Sequence, residues 1–126
     1  WWIKEMLPHD QLTAMLTAAD LFICPSIYEP LGIVNLEAMG CETAVLGSRV
    51  GGIPEVVADK ETGELVDYNG EAAPFEKALT ESITRLMSQP DLLKKYGAAG
   101  RVRAQKLFGW DAVAALTVDL YRRVIA

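Results

Sequence analysis

The chain has 126 residues, 51% of them hydrophobic and 23% charged, enough to bury one core, so a single domain over residues 1–126 is expected. Twelve Lys and Arg against 17 Asp and Glu leave a net charge of −5 with no basic run. This argues against a nucleic-acid face that neutralises phosphates. No apolar stretch approaches the roughly 20 residues of a membrane span, and no basic leader followed by an apolar core opens the chain.

Trp1 to Ile3 read as the end of a strand, so a longer parent chain is expected. Leu12, Met15, Leu16 and Ala19 recur at helical spacing and predict a helix over Pro8 to Ala19, with Asp10 in its first turn. His9 stands beside Pro8 at that helix start and is expected at the amino-terminal end of the following strand, away from any chemistry. The apolar run Leu21 to Cys24 predicts a buried strand stopped by Pro25. A short helix follows over Ile33 to Gly40, with Ile33, Leu36 and Gly40 expected to face inward. Thr43 to Gly47 make the next strand, Ser48 to Gly52 a loop, and Pro54 fits the first turn of a helix over Ile53 to Val57. Asp59 to Gly63 read as a turn and Glu64 to Asp67 as a strand. Three helical stripes complete the chain: Phe75, Leu79, Ile83, Leu86; then Leu92, Leu93, Tyr96, Ala99, Leu107; then Val113, Leu116, Leu120, Tyr121, Val124. All three are expected to pack on the sheet. Alternating strands and helices with short connections predict an α/β fold with a parallel sheet.

In an open parallel sheet, ligands bind at the carboxyl ends of the strands. Three loops are expected to meet on that edge: Pro25 to Gly32, Ser48 to Gly52, and the turn around Gly63. The first holds Glu29, and Glu37 lies eight residues further on, one or two turns into the following helix. The start of that helix offers unpaired N–H groups and a positive dipole end suited to a phosphate. Carboxylates that accept from a polyol, beside a helix that holds a phosphate, describe a nucleotide-sugar. Gly51 and Gly52 permit positive φ or close approach to a ligand. Read from spacing alone, Glu37 is equally a surface glutamate, and Arg49, the cation of these loops, is equally a solvated side chain. Cys24 and Cys41 have no metal-binding spacing and suit a reduced, cytoplasmic protein.

The run Pro25-Ser26, Glu29-Pro30-Leu31-Gly32, Glu37 and Gly51-Gly52-Ile53-Pro54-Glu55, with Thr62-Gly63-Glu64-Leu65-Val66 after it, resembles the donor site of retaining glycosyltransferases of the GT-B fold. It is similar to glycosyltransferase family four and its neighbour containing bacterial glycogen synthases. Tyr28 to Glu37 are closest to the actinobacterial type of glycogen synthase. The resemblance implies the Rossmann-like, donor-binding carboxyl-terminal domain of a two-domain enzyme with a helical C-terminus. It implies that Glu37 holds the ribose of a UDP- or ADP-sugar and that Glu29 serves the reacting sugar. Backbone N–H groups around Leu31, Gly32 and Ile33 would bind the sugar or diphosphate, with Gly32 lacking a Cβ so as not to crowd the sugar. No metal or other cofactor is implied, because the leaving diphosphate itself takes the acceptor's proton.

The acceptor, a glucan or another sugar, would meet a separate amino-terminal domain, and a basic clamp for the diphosphate would lie upstream of Trp1. On this view the isolated chain transfers no sugar, binds nucleotide with about −4 kcal/mol, and tends to self-associate into a homo-oligomer through uncovered apolar surface. The alternative is a non-catalytic, doubly wound nucleotide-binding or interaction module. One departure stands out: Cys41-Glu-Thr-Ala44 replaces the family's Cys-Gly-x-Pro, which puts the Glu42 carboxylate near a helix end, where it is unfavourable.

Overall fold

The computed structural model describes residues 1–125. Its elements run α1 (His9–Ala18), β1 (Leu21–Cys24), α2 (Ile33–Gly40), β2 (Ala44–Ser48), α3 (Ile53–Val56), β3 (Gly63–Val66), α4 (Ala72–Met87), α5 (Pro90–Phe108) and α6 (Trp110–Ile125). The strands pair in parallel in the order β1-β2-β3, with Leu21 opposite Ala44 and Val45 opposite Gly63. Trp1 to Ile3, expected as a strand end, form no strand and are exposed. No neighbouring strand among the described residues supplies the hydrogen bonds that would fix them as one.

Every residue of β2 is buried, the mark of a central strand covered on both faces. Alternation along it separates two cores. Val45 packs with Leu16, Ala38, Met39, Ile53, Val56 and Leu65. Ala44 and Leu46 turn the other way, towards Phe75, Leu86, Leu93 and Tyr96. Helices therefore flank a parallel Rossmann-like sheet, and the chain ends in a helix.

The first two of the three C-terminal stripes pack as expected through most of their length. Leu107 is the exception in the second and is exposed. The third stripe does not reach the sheet: α6 has no buried residue, and Val113, Leu116, Leu120, Tyr121 and Val124 all face outward. Only α5 lies substantially against it. The reason is geometric, since α4 and α5 already cover that side of three short strands.

The end of α2 shows what the Glu42 departure costs. Glu42 N–H donates to the Met39 carbonyl and Thr43 N–H to the Ala38 carbonyl, both at 3.0 Å. This is a Schellman termination, whose left-handed position favours glycine. Glu42 occupies it with φ 62.

Candidate functional site

Pro25 ends β1, and the chain from there to Gly32 crosses the carboxyl edge of the sheet. Ser48, wholly buried at the end of β2, donates its hydroxyl to the Ser26 carbonyl and so ties this loop to the central strand. The loop then closes on itself, because Gly32 N–H donates to Glu29 Oε1 at 3.1 Å. Gly32 turns the chain into α2 with φ 88, a left-handed conformation costly for any residue with a Cβ.

A second loop is latched against the first. Gly52 N–H donates to the Glu29 carbonyl at 3.0 Å. A Cβ on Gly51, whose φ is 52, would overlap that carbonyl and stand 2.9 Å from its carbon. A Cβ on Gly52 would stand 2.6 Å from Leu31 Cα. Close approach of backbone to backbone therefore requires glycine at both positions. At Gly32 a Cβ would meet Asn35 Nδ2 at 2.5 Å, so a protein side chain and the φ angle already demand glycine there.

The structure brings together Glu29, Leu31, Gly32, Ile33, Gly51 and Gly52 at one edge. The turn around Gly63 is not there. Gly63 begins β3, so that turn lies at the amino edge of the sheet. Nor does α3 offer free donors to the cleft. Ile53 N–H bonds to the Val50 carbonyl, Glu55 N–H to the Gly52 carbonyl, and Pro54 has none. The start of α2 is different: among the described residues, no protein group accepts from the N–H of Leu31, Ile33 or Val34. Ile33 is exposed beside them, whereas Leu36 packs against the core as expected, next to the buried Asn35, Ala38 and Met39.

Glu37, half-buried on the second turn of α2, makes no side-chain hydrogen bond or ion pair among the described residues. It lines a groove of about 270 Å³ between α1 and α2, with His9, Leu12, Thr13, Gly40 and Cys41. His9 thus lies on the same side as Glu37, not at the opposite edge. The reason is direction. Helix α1 runs antiparallel to β1, so its first residue returns to the carboxyl end of the strand. The His9 ring is within 3.1 Å of the Thr13 hydroxyl.

Arg49 is not a free cation. It holds Asp59 at 2.6 Å and Asp67 at 2.7 Å, which raises its already high pKa further. Burial works against the charge on Asp59, yet Arg49 and the Leu65 N–H at 2.9 Å outweigh it and hold its carboxyl below the usual range. Among the described residues the loop edge therefore carries carboxylate acceptors and unpaired backbone donors, but no spare Arg or Lys for a phosphate. Cys24 is buried and Cys41 half-buried, both as free thiols. No helix is long and apolar enough to cross a membrane among the described residues.

A parallel sheet whose carboxyl edge carries Glu29 in a loop and an unpaired helix start is the place where open α/β sheets bind ligands. Residues 2–103 match the family described as glycosyl transferases group 1, and the chain belongs to that family. It is 50% identical over 127 aligned residues to alpha-maltose-1-phosphate synthase of Mycolicibacterium smegmatis, covering 100% of this chain and 33% of that protein. It is 37% identical over 113 residues to D-inositol 3-phosphate glycosyltransferase of Streptomyces bingchenggensis, covering 90% and 24%. Among solved structures, sucrose-phosphate synthase from Thermosynechococcus elongatus superposes with a TM-score of 0.81 at 38% identity, covering 94% of this chain and 29% of that one. The chain spans about a third of the length of the first curated relatives it matches.

Proposed function

We propose that this chain is the donor-binding part of a retaining transferase that moves glucose from UDP- or ADP-glucose to a sugar hydroxyl. The observation that carries it is the pairing of an unpartnered Glu37 beside a groove with unpaired N–H groups at the start of α2, eight residues from Glu29. Glu37 is an acceptor able to take both ribose hydroxyls. The N–H groups of Leu31 and Ile33, at the positive end of α2, suit the sugar or the diphosphate.

Glu29 faces the sugar, where its charge favours the positive anomeric carbon that develops as the diphosphate leaves. The acceptor hydroxyl attacks from the face the diphosphate vacates, and its proton passes to the departing phosphate oxygen. The configuration is retained, and this route needs no metal. Gly51 and Gly52 act from outside the ligand, by fixing the loop that carries Glu29.

The glucosyl donor is supported by the 50%-identical relative, whose named product is a maltose phosphate, two glucose units joined through an α linkage. The acceptor is accordingly a glucose unit, either at the end of an α-glucan in a glycogen-synthase-like reaction or as a sugar phosphate. The cations that hold the diphosphate come from elsewhere in the enzyme, because Arg49 is already committed. The free thiols of Cys24 and Cys41 suit a cytoplasmic location.

The test uses the full-length enzyme with a panel of UDP-, ADP- and GDP-sugars and with α-glucan or glucose 1-phosphate as acceptor. Glu37→Ala should mainly raise the donor KM, by about tenfold to a hundredfold, as expected when hydrogen bonds to a charged group are lost. Glu29→Gln should depress kcat more than it changes donor binding. An E29Q enzyme with kcat within about twofold of the parent would refute the electrostatic role.

A further inference from the structure

Asn35 is the residue whose burial the sequence does not explain. It sits on the inward face of α2, wholly shielded from solvent. Neither Oδ1 nor Nδ2 has a hydrogen-bond partner among the described residues. A buried carboxamide left unpaired is costly, and folded proteins rarely keep one without a use. Its position is specific. The point where a Gly32 Cβ would stand is 2.5 Å from Asn35 Nδ2, 3.4 Å from Ile53 Cγ1 and 3.5 Å from Glu29 Cγ. The carboxamide therefore lies under the Glu29–Gly32 turn, next to the Glu29 side chain.

That turn is closed by the Gly32 N–H, which gives Glu29 Oε1 its hydrogen bond at 3.1 Å. Among the described residues no other group donates to the Glu29 carboxylate. If the donor engages the Gly32 N–H, this bond opens and the carboxylate loses its donor just as it must be held still. Asn35 is the adjacent buried side chain with hydrogens to give, and its carboxamide can rotate to present them.

We propose that Asn35 is a positioning residue for Glu29: when the nucleotide-sugar takes the Gly32 N–H, the Asn35 carboxamide donates to the Glu29 carboxylate and holds it against the sugar. The step is an exchange of hydrogen bonds, with no covalent change. It rests on the reading of Glu29 and Gly32 as the donor site. A leucine at this position would fill the space without a hydrogen to donate. An aspartate would set a second negative charge beside Glu29.

The experiment is a double-mutant cycle in the full-length enzyme, with N35L, N35A, E29Q and the doubles E29Q/N35L and E29Q/N35A, read as kcat, donor KM and Tm. Each Asn35 variant should lower kcat about tenfold or more while the donor KM moves by less than about twofold. Each double should be no slower than E29Q alone, because Asn35 then has no charged partner to hold. A merely structural Asn35 would lower Tm and slow the E29Q enzyme further by the same factor, and that additivity overturns the proposal. So does an Asn35 variant whose kcat stays within about twofold of the parent. If E29Q alone leaves kcat unchanged, the reading of the donor site falls with the proposal on it, an outcome told apart because no Asn35 variant enters it. A crystal structure of the parent enzyme with its nucleotide-sugar needs no variant to fold. The Asn35 carboxamide within hydrogen-bond distance of Glu29 supports the exchange, and one still turned away overturns it.

Discussion

Gly51→Ala tests whether the Glu29 loop is held by the neighbouring loop. Three costs meet at this position. A non-glycine residue in the left-handed region is disfavoured by roughly 1–2 kcal/mol, and Gly51 has φ 52. The new methyl would overlap the Glu29 carbonyl, and forcing packed groups apart costs about 1–3 kcal/mol. The same displacement stretches the hydrogen bond from Gly52 N–H to that carbonyl, worth about 0.5–1.5 kcal/mol. The stiffer unfolded chain offsets about 0.4–1 kcal/mol, leaving a net loss of about 1.5–6 kcal/mol.

Gly70→Ala is the matched control. Gly70 also has positive φ, at 96, but no atom lies within 4 Å of its would-be Cβ. It should lose about 1 kcal/mol or less. Urea unfolding of the two variants, followed by circular dichroism, separates the backbone term they share from the contact that only Gly51 makes. The midpoints should differ with the slope unchanged. Coincident midpoints would refute the latch, and the Glu29 loop would then be free of the Gly51–Gly52 loop.

Glu42→Gly should raise stability by about 1 kcal/mol, because glycine accepts the left-handed φ of 62 and removes a carboxylate from the negative end of α2; a lower urea midpoint would contradict the Schellman assignment. The depressed pKa of Asp59 means that its ion pair with Arg49 contributes fully above the unfolded value near 4 and is lost as pH falls through the folded value. Asp59→Asn should therefore cost up to about 1 kcal/mol at pH 7, with the gap to the parent closing towards pH 3; an equal gap at both pH values would exclude the charge as its source. Leu86→Ala, in a side chain with 0% exposure, should cost about 2–5 kcal/mol. Leu120→Ser on the outward face of α6 should stay within about 0.5 kcal/mol in the isolated chain, and a comparable loss at both positions would show that α6 packs more tightly than described.

The order of strands and helices was legible in the sequence because it is written in local periods. Leu21 to Cys24 and Ala44 to Leu46 are short apolar runs between turn formers, and the stripe Phe75, Leu79, Ile83, Leu86 has helical spacing whatever surrounds it. The two glutamates and Gly32 were legible too, as a motif in a strand-loop-helix setting. Direction and contact were not. That His9 returns to the Glu37 groove follows from α1 running antiparallel to β1, a relation between elements that no residue spacing encodes. The glycines at positions 32, 51 and 52 could be identified as necessary, but what they approach, Asn35 and the Glu29–Leu31 backbone, is set by how two loops far apart in the chain fold over one strand edge. Periodicity likewise marked α6 as amphipathic without saying that α4 and α5 had already covered the sheet. Asn35 shows the same division. Its place among Ile33, Val34 and Leu36 marks a polar residue in an apolar helix, and only the tertiary packing leaves its carboxamide buried beside Glu29 without a partner.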